Sequence, residues 1–353
     1  MIFQWLAADF ESALDAERKS AIYRQRLAKG WELFIVWCVG AEIFPEFLKC
    51  VDRANGILVR FVQEMFDREE RMWLVRHSVL AVQTKYFHLR GRIPRPWDAL
   101  RGWKRNVRVK SRVPMLTIVL RCLFAEGLLH GLRHPRTAHF YICGAILLRV
   151  GFEALLRPQE LMALTARDVS FVFFNQAWTA VLAIIDPKNR SSYGTFQFAR
   201  VYDESVVKWL RWLVAGLPPA VKLWPSGRPR LVWVLDRLLG LGGFENTGYT
   251  LGSLRPGKAT EMILAGFHPG TVKFSGRWAS ESAFSVYVQE SMAMLVWSKL
   301  PPETETELTQ SLESVSLLAE SPPQVPWSEL FTRSRQWRTL GATKKKQRTR
   351  RLW

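Results

Sequence analysis

The chain has 353 residues, enough for two ordinary domains, and its hydrophobic content of 48% excludes wholesale disorder. The longest apolar runs, Leu33–Ala41 and Phe140–Leu148, have nine residues each, whereas a helix that spans a bilayer needs about 20. The 50 Lys and Arg side chains outnumber the 31 Asp and Glu and give a formal net charge of +19. This excess favours a polyanionic partner, either a nucleic acid or, as the alternative, an acidic membrane surface.

The basic charge is not confined to the C-terminal end. Residues 331–353 carry nine basic side chains and no acid, and without them the rest of the chain keeps a net charge of +10. Acids stand near the N-terminus, where a signal peptide would have basic residues. We therefore expect an intracellular protein, and a nuclear one if the Lys/Arg-rich end serves import. The alternative for this end is a nonspecific polyanion-binding arm.

The four cysteines, Cys38, Cys50, Cys122 and Cys143, lie far apart in apolar surroundings. Their spacing fits neither a metal site nor a disulfide framework. The sequence therefore predicts buried free thiols in a reducing compartment.

Residues 1–90 are predicted to form a small helical bundle. Apolar residues recur at three- and four-residue spacing, which indicates helices rather than strands. The predicted helices cover Ala7–Lys29, Glu32–Val51, Ala54–Met72 and Leu74–Tyr86.

Residues 91–113 are predicted to be a basic interdomain linker that lies against phosphate. Gly91, Pro94, Pro96 and Gly102 are expected to interrupt any long helix there. The alternative is a solvated loop without a partner, but the charge of the whole chain favours DNA. The candidate DNA-binding residues are Arg92, Arg95, Arg101, Lys104, Arg105, Arg108 and Lys110.

Residues 114–300 are predicted to form a second, mostly helical domain with a small antiparallel sheet, which makes the fold class mainly α with a minor β component (α+β). Runs rich in Val, Phe, Ile and Trp alternate with turn signals in the middle of this region. Residues 301–353 are predicted to be a flexible tail. The predicted strands are Asp168–Phe174, Ala177–Ile185 and Thr195–Val201, and the predicted helices after them are Ser205–Ala215, Pro229–Leu239 and Ser253–Gly266.

Candidate site residues occur in four short segments of this second part. Arg157 ends an apolar helix just before a proline, and Glu160 opens the next helix. Lys188 lies at the tip of a turn between strands. Each has an ordinary explanation by itself, because surface arginines and turn lysines are common.

The other two segments lie further along the chain. Arg255 stands in the first turn of a helix whose predicted N-cap is Ser253. The helix dipole opposes a cation there, so its presence suggests a demand for positive charge from a ligand such as phosphate. Trp278 stands nine residues before Tyr287 on an apolar segment, where a Tyr is ordinarily a core residue.

The order and spacing of the four segments resemble the catalytic domain of the tyrosine recombinase (phage integrase-like) family. The segment SLRPGKAT, followed by GRWAS, is similar to the versions of these motifs encoded by eukaryotic mobile elements. The resemblance covers roughly residues 114–295. The helical first part and the basic linker fit, less specifically, the core-binding domain of that family.

The resemblance implies a DNA strand cleavage and rejoining reaction. Arg157 and Arg255 would hold the scissile phosphate, and Tyr287 would attack it to form a 3′-phosphotyrosyl link. Lys188 would protonate the leaving 5′-oxygen. Trp278 would donate a hydrogen bond to the phosphate or to its leaving oxygen, and Glu160 would steady an arginine. No metal or other cofactor is expected.

The resemblance also implies double-stranded DNA as the partner, without a membrane, and a homodimer or tetramer on that DNA. One departure is Gly252, which stands where the family usually has an acid/base His. Two alternatives stay open. One is a domesticated relic that binds DNA without cutting it, and the other is an unrelated basic helical protein that binds RNA or membranes.

Overall fold

The computed structural model describes residues 21–106, 113–134, 136–174, 176–185, 187, 194, 196–285, 287–288, 294–295, 298, 322–324 and 327. The chain divides into two compact units, Met1–Lys110 and Ser111–Trp353. In the described residues the fold is mainly helical with one three-stranded antiparallel sheet, as predicted. None of the described helices has the length and apolar character needed to cross a membrane.

The described part of the first unit is helical. Its α-helices are α1 (Ala21–Gly40), α2 (Val51–Asp67), α3 (Met72–Lys85) and α4 (Pro94–Asn106), with 3₁₀ turns at Pro45–Lys49 and Phe87–Leu89. The predicted helix Leu74–Tyr86 is confirmed to within about two residues, whereas the predicted Ala54–Met72 ends too late, because the observed α2 stops at Asp67 and Met72 begins α3.

The first helix differs from its prediction because it continues through Gly30, where a break was expected. A Cβ atom at Gly30 would lie 2.6 Å from the backbone of His77 and Ser78. The glycine therefore permits a close approach of α1 to α3. The chain breaks instead before Pro45, which begins a 3₁₀ turn.

The second difference concerns α4, which occupies part of the predicted linker. Pro94 and Pro96 lie in the first turn of this helix, where a missing N–H removes no intrahelical hydrogen bond. Leu100 and Trp103 are buried in the core of the first unit. The prolines that were expected to interrupt a helix here start one.

The second unit is built around a buried helix. Within α6, all residues except Phe140 and Glu153 are buried, and most of the buried residues are apolar, as expected for a helix surrounded by other elements. The buried Arg149 of this helix donates to the carboxylate of Asp203 (2.9 Å). The helices of this unit are α5 (Thr117–Arg133), α6 (Ala138–Glu153), α7 (Pro158–Ala163), α8 (Glu204–Val214), α9 (Gly227–Leu241), α10 (Leu254–Leu264), α11 (Pro269–Ser275) and α12 (Glu281–Ser285).

The sheet has the strand order β1-β2-β3, with β1 at Val169–Phe174, β2 at Ala177–Ile185 and β3 at Phe196–Val201. All neighbours are antiparallel, with Val169 opposite Leu182 and Ala183 opposite Phe198. The three strand predictions are confirmed. Lys188, in the turn between β2 and β3, lies outside the described residues.

Helix α10 is held tightly against the segment that precedes α5. A Cβ atom at Gly257 would lie only 2.2 Å from the carbonyl oxygen of Met115. The backbone N–H of Met115 donates to the carbonyl of Ser253 (3.0 Å). These contacts fix the first turn of α10, which carries Arg255.

Three smaller predictions are corrected. Cys50 is exposed, whereas the other three cysteines are buried, and burial raises the pKa of Cys38 to about 12. The Ser253 hydroxyl does not cap α10 but accepts from the backbone N–H of Thr250 (3.0 Å). Trp327, in the segment predicted to be flexible, is buried with its ring centroid 5.2 Å from that of Trp212.

We expect Gly257→Ala to lower the free energy of unfolding by about 1 to 3 kcal/mol, because the added methyl group overlaps the Met115 carbonyl. The matched control is Gly240→Ala in α9, where no atom of the described residues lies within 4 Å of the new Cβ. The control should be neutral or stabilising by up to about 1 kcal/mol. Urea denaturation of both variants measures the difference, and equal stabilities would contradict the packing account.

Candidate active site

The site begins at the N-terminus of α7, where Arg157 and Glu160 form a capping box. The backbone N–H of Arg157 donates to Glu160 Oε2 (3.0 Å), and its guanidinium Nη1 donates to Glu160 Oε1 (2.6 Å). The Arg157 side chain is 23% exposed and that of Glu160 is 6% exposed. The proline after Arg157 therefore starts a helix whose first turn holds the carboxylate beside the arginine.

A second arginine, Arg277, binds the same carboxylate and was not singled out by the sequence analysis. Its Nη2 donates to Glu160 Oε2 (2.7 Å), and both side chains are 6% exposed. Desolvation opposes ionisation of Glu160, but Arg277 and Arg157 outweigh it and hold the pKa of this carboxyl below its ordinary value. The only sequence signal was the position of Arg277 beside Trp278.

Arg255 is buried within the same cluster and is only 3% exposed. Its Nη1 donates to the carbonyl of Leu155 (3.2 Å), and its Nη2 donates to the carbonyl of Gly276. Within the described part of the chain, its Nε has no hydrogen-bond partner. Burial, together with the nearby Arg157 and Arg277, lowers the pKa of Arg255 to about 9.

Two aromatic rings cover this guanidinium. The Arg255 Cζ atom lies 4.3 Å from the ring centroid of Trp278 and 5.4 Å from that of Tyr287. The two rings lie 5.1 Å apart. Trp278 is 2% exposed, whereas Tyr287 is only partly buried. A phenol and an indole therefore face the buried cation directly.

The backbone around the cluster is strained at two positions. Leu155 and Arg277 have φ angles of 52° and 57°, in the left-handed region that non-glycine residues rarely adopt. Such conformations cost about 1 to 3 kcal/mol each and persist where the surroundings fix them. The Leu155 carbonyl accepts from both Arg255 (3.2 Å) and Arg277 (3.5 Å).

The electrostatic balance of this cluster is positive. Among the described residues named above, three guanidinium groups face the single carboxylate of Glu160. Desolvation and the neighbouring Arg157 also lower the pKa of Arg277 despite its ion pair with Glu160. A buried excess of cations is costly, and an anion of phosphate size and charge would compensate it.

The structure thus brings together five of the predicted site residues, and only Lys188 of that set lies outside the described residues. Two other side chains at α10 or just after it have partners of their own. Lys258 is bound by Glu153 (2.9 Å) and Glu261 (3.2 Å). The exposed His268 caps α11 by accepting from the Gly270 N–H (3.1 Å). The five residues are Arg157, Glu160, Arg255, Trp278 and Tyr287.

The candidate DNA-binding residues belong to the first unit. Of these, Arg92, Arg95, Arg101, Lys104 and Arg105 are exposed, and all but Arg92 lie on α4. Arg101 forms an ion pair with Asp98. Arg108 and Lys110 lie outside the described residues.

Comparisons with known proteins find similarity only among solved structures. No protein-family model and no curated protein matches the chain. The structure is similar to the XerH site-specific recombinase bound to difH substrate in a pre-cleavage complex, with 13% sequence identity, a TM-score of 0.43, and coverage of 72% of this chain and 70% of that one. It is also similar to XerH bound to palindromic difH substrate in a post-cleavage complex, with 14% identity, a TM-score of 0.44, and coverage of 75% and 72%.

We expect Glu160→Gln to lower the free energy of unfolding at neutral pH by about 3 to 5 kcal/mol, because it leaves Arg277 buried without a counter-charge. Folding lowers the pKa of Glu160. The carboxylate therefore contributes fully to stability above its ordinary pKa, and this contribution is lost as the pH falls through the lower, folded-state pKa. The gap between wild type and variant should therefore close below about pH 4.

Urea denaturation across this pH range measures the effect. The matched control is Glu204→Gln, which removes an exposed partner of Lys208 and should change stability by less than about 1 kcal/mol. A Glu160 variant as stable as this control at neutral pH would contradict the proposed importance of the bridge.

Proposed function

We propose that this chain cleaves and rejoins DNA strands, with Tyr287 as the nucleophile and Arg157 and Arg255 as the phosphate-binding residues. One observation carries the proposal: the buried guanidinium of Arg255 lies beside two further arginines and 5.4 Å from the ring of Tyr287. A nucleophile next to an excess of positive charge is the arrangement that attack on a phosphodiester requires.

Arg157 and Arg255 have separate tasks in this mechanism. Arg157 is the more exposed of the two and is the first to meet the scissile phosphate. Arg255 donates to two carbonyls beneath the rings of Trp278 and Tyr287. Binding of the phosphate moves the Tyr287 ring off Arg255 and places the phenol oxygen near phosphorus.

The chemical step exchanges one phosphate ester for another. The phenol oxygen of Tyr287 forms a bond to phosphorus while the bond from phosphorus to the 5′-oxygen of the strand breaks. The phenol gives up its proton to solvent water, and the departing 5′-oxygen gains one, for which Lys188 is the proposed donor. Rejoining reverses these steps, so the energy of the phosphodiester is conserved in the 3′-phosphotyrosyl link.

Gly252 occupies the position at which the family usually has a histidine that assists proton transfer. General acid–base assistance is typically worth about 10²- to 10⁴-fold in rate, so we expect slow rather than absent cleavage. Trp278 donates its indole N–H to the phosphate in this proposal, and Glu160 holds Arg157 and Arg277 in place.

The partner in this proposal is double-stranded DNA, held by the basic α4 face of the first unit and by the second unit, in a dimer or tetramer. The protein acts in the nucleus, and its catalytic part derives from a mobile element. The second candidate function is a relic that binds DNA without cutting it. Gly252 and the engagement of Arg255 with protein carbonyls favour that alternative.

We expect the purified protein, incubated with nicked duplex DNA and denatured in detergent, to carry a 3′-linked DNA strand. Tyr287→Phe should abolish this adduct because it removes the attacking oxygen, while salt-sensitive DNA binding remains. The matched control is Tyr202→Phe, which removes the hydroxyl of an exposed tyrosine that accepts from Arg200 (3.2 Å). This control should retain the adduct.

Three other outcomes decide against strand cleavage by Tyr287. An adduct that survives Tyr287→Phe would assign the nucleophile to another residue. No adduct from wild type or from Gly252→His, with DNA binding retained, would establish the relic. The third outcome is a protein without a preference for duplex DNA, whose binding at matched salt is unaffected by Arg157→Ala plus Arg255→Ala. This result would favour the alternative of an unrelated basic protein.

We expect Lys104→Gln plus Arg105→Gln to weaken duplex binding by a similar factor for all sequences, because exposed cations on α4 would contact phosphate. The slope of log affinity against log salt concentration should become shallower by about 2. A matched pair of exposed cations, Lys29→Gln plus Lys49→Gln, removes the same charge from other helices of this unit. Equal changes in both slopes would indicate a general charge effect rather than an α4 contact.

A further inference from the structure

A cationic surface cavity lies at the other end of α6 from Arg157. It has a volume of about 730 Å³ and is lined by side chains of α5, of the α5–α6 connection, of α6 and of α9. Because α6 has 16 residues, its two ends are about 24 Å apart. The cavity is therefore separate from the Tyr287 site, although both belong to the second unit.

The lining is strongly basic. Arg133, Arg136 and Arg237 converge on the cavity together with His130 and His134, and among the described residues that line it there is no carboxylate. The volume lies within the range of small-molecule sites, about 300 to 1,000 Å³.

Helix electrostatics explain only part of this cluster. His130 and Arg133 lie in the last turn of α5, where the helix dipole favours a cation. Arg136 stands just before the N-terminus of α6, where the dipole opposes a cation, and Arg237 lies within α9. These last two arginines raise the positive potential of the cavity without a helix-dipole reason, which points to an anionic ligand.

Two histidines also line the cavity, and they lie next to each other. The ring centroids of His130 and His134 are 4.4 Å apart. Burial lowers the pKa of His130, and the nearby His134, Arg237 and Arg133 lower it further. The neighbouring cations therefore disfavour a further positive charge on His130.

The cavity also has an aromatic wall. Tyr141 is buried with its ring centroid 4.1 Å from that of His130 and 5.7 Å from that of Trp233. Trp233 is 37% exposed, and Arg230 lies over its ring at 5.1 Å. An exposed indole next to arginine forks is suited to a flat ring that carries a phosphate group.

We propose that this cavity binds a nucleotide, with its phosphate held by Arg133, Arg136 and Arg237 and its base stacked on Trp233. The shared chemistry is a phosphate attached to a nucleoside. The source is either a free nucleotide or a nucleotide of a single strand. The proposal is independent of strand cleavage at Tyr287, because none of its residues belongs to that cluster.

The test uses the full-length protein and compares two double variants of equal charge. The cavity variant is Arg133→Gln plus Arg237→Gln, and the control is Arg121→Gln plus Arg228→Gln. The control changes one exposed arginine on each of the same helices, α5 and α9, outside the cavity. Calorimetric titration at fixed salt measures binding of inorganic phosphate, deoxyadenosine monophosphate, adenosine triphosphate and a short single-stranded oligonucleotide.

The cavity variant should bind nucleotide roughly tenfold more weakly or worse, whereas the control should stay close to wild type. Trp233→Leu should weaken binding of nucleotide but not of inorganic phosphate. Binding of deoxyadenosine monophosphate or adenosine triphosphate identifies a free nucleotide as the ligand, and binding of the oligonucleotide alone identifies a single strand. Equal losses in the cavity and control variants, or no nucleotide binding by wild type, would overturn the proposal.

Covalent trapping at Tyr287, run on the same cavity variant, separates the two sites. The adduct should persist when nucleotide binding is lost. Loss of nucleotide binding only through unfolding of the variant is recognised by its urea denaturation curve. In that event the single substitution Arg136→Gln, at an exposed position outside α5 and α9, must reproduce the loss of nucleotide binding. Unchanged nucleotide binding by this variant would contradict the proposed site.

Discussion

The carboxylate of Glu160 is the interaction on which the candidate site depends. It accepts from Arg157 at the start of α7 and from Arg277 more than a hundred residues later in the chain. Without this shared anion, the two guanidiniums and the buried Arg255 would repel one another in a poorly solvated space. The bridge therefore fixes the distance between α7 and the segment that carries Trp278 and Tyr287.

The surrounding backbone is adapted to this bridge. Leu155 and Arg277 both adopt left-handed conformations, and the Leu155 carbonyl receives hydrogen bonds from two arginines. The glycine at position 257 lets α10 approach Met115 closely and so places Arg255 at the same point. Strain and close packing are thus concentrated around the buried guanidinium groups.

The formal charge of +19 is distributed unevenly. Part of it lies on the exposed face of α4, where cations are well solvated. Another part is buried around Arg255, and a third part lines the cavity at the α5–α6 connection. Solvated charges attract a polyanion at long range, whereas confined charges with fixed geometry select the groups that fit them. The buried cluster around Arg255 belongs to the second kind, whereas Arg133, Arg136 and Arg237 are exposed side chains that line one cavity.

The sequence by itself determined the fold class and the strand positions, and it named as candidates five residues that the structure brings together, because hydrophobic periodicity and motif spacing are local properties. It could not identify Arg277 as a partner of Glu160, since burial of a cation depends on contacts between distant segments. It also predicted a helix break at Gly30 and a linker where α4 lies. The structure has a helix at both places, because Gly30 allows close packing of α1 on α3 and because the prolines lie in the first turn of α4. Only the tertiary structure decided which arginines share one carboxylate, because electrostatic compensation acts through space rather than along the chain.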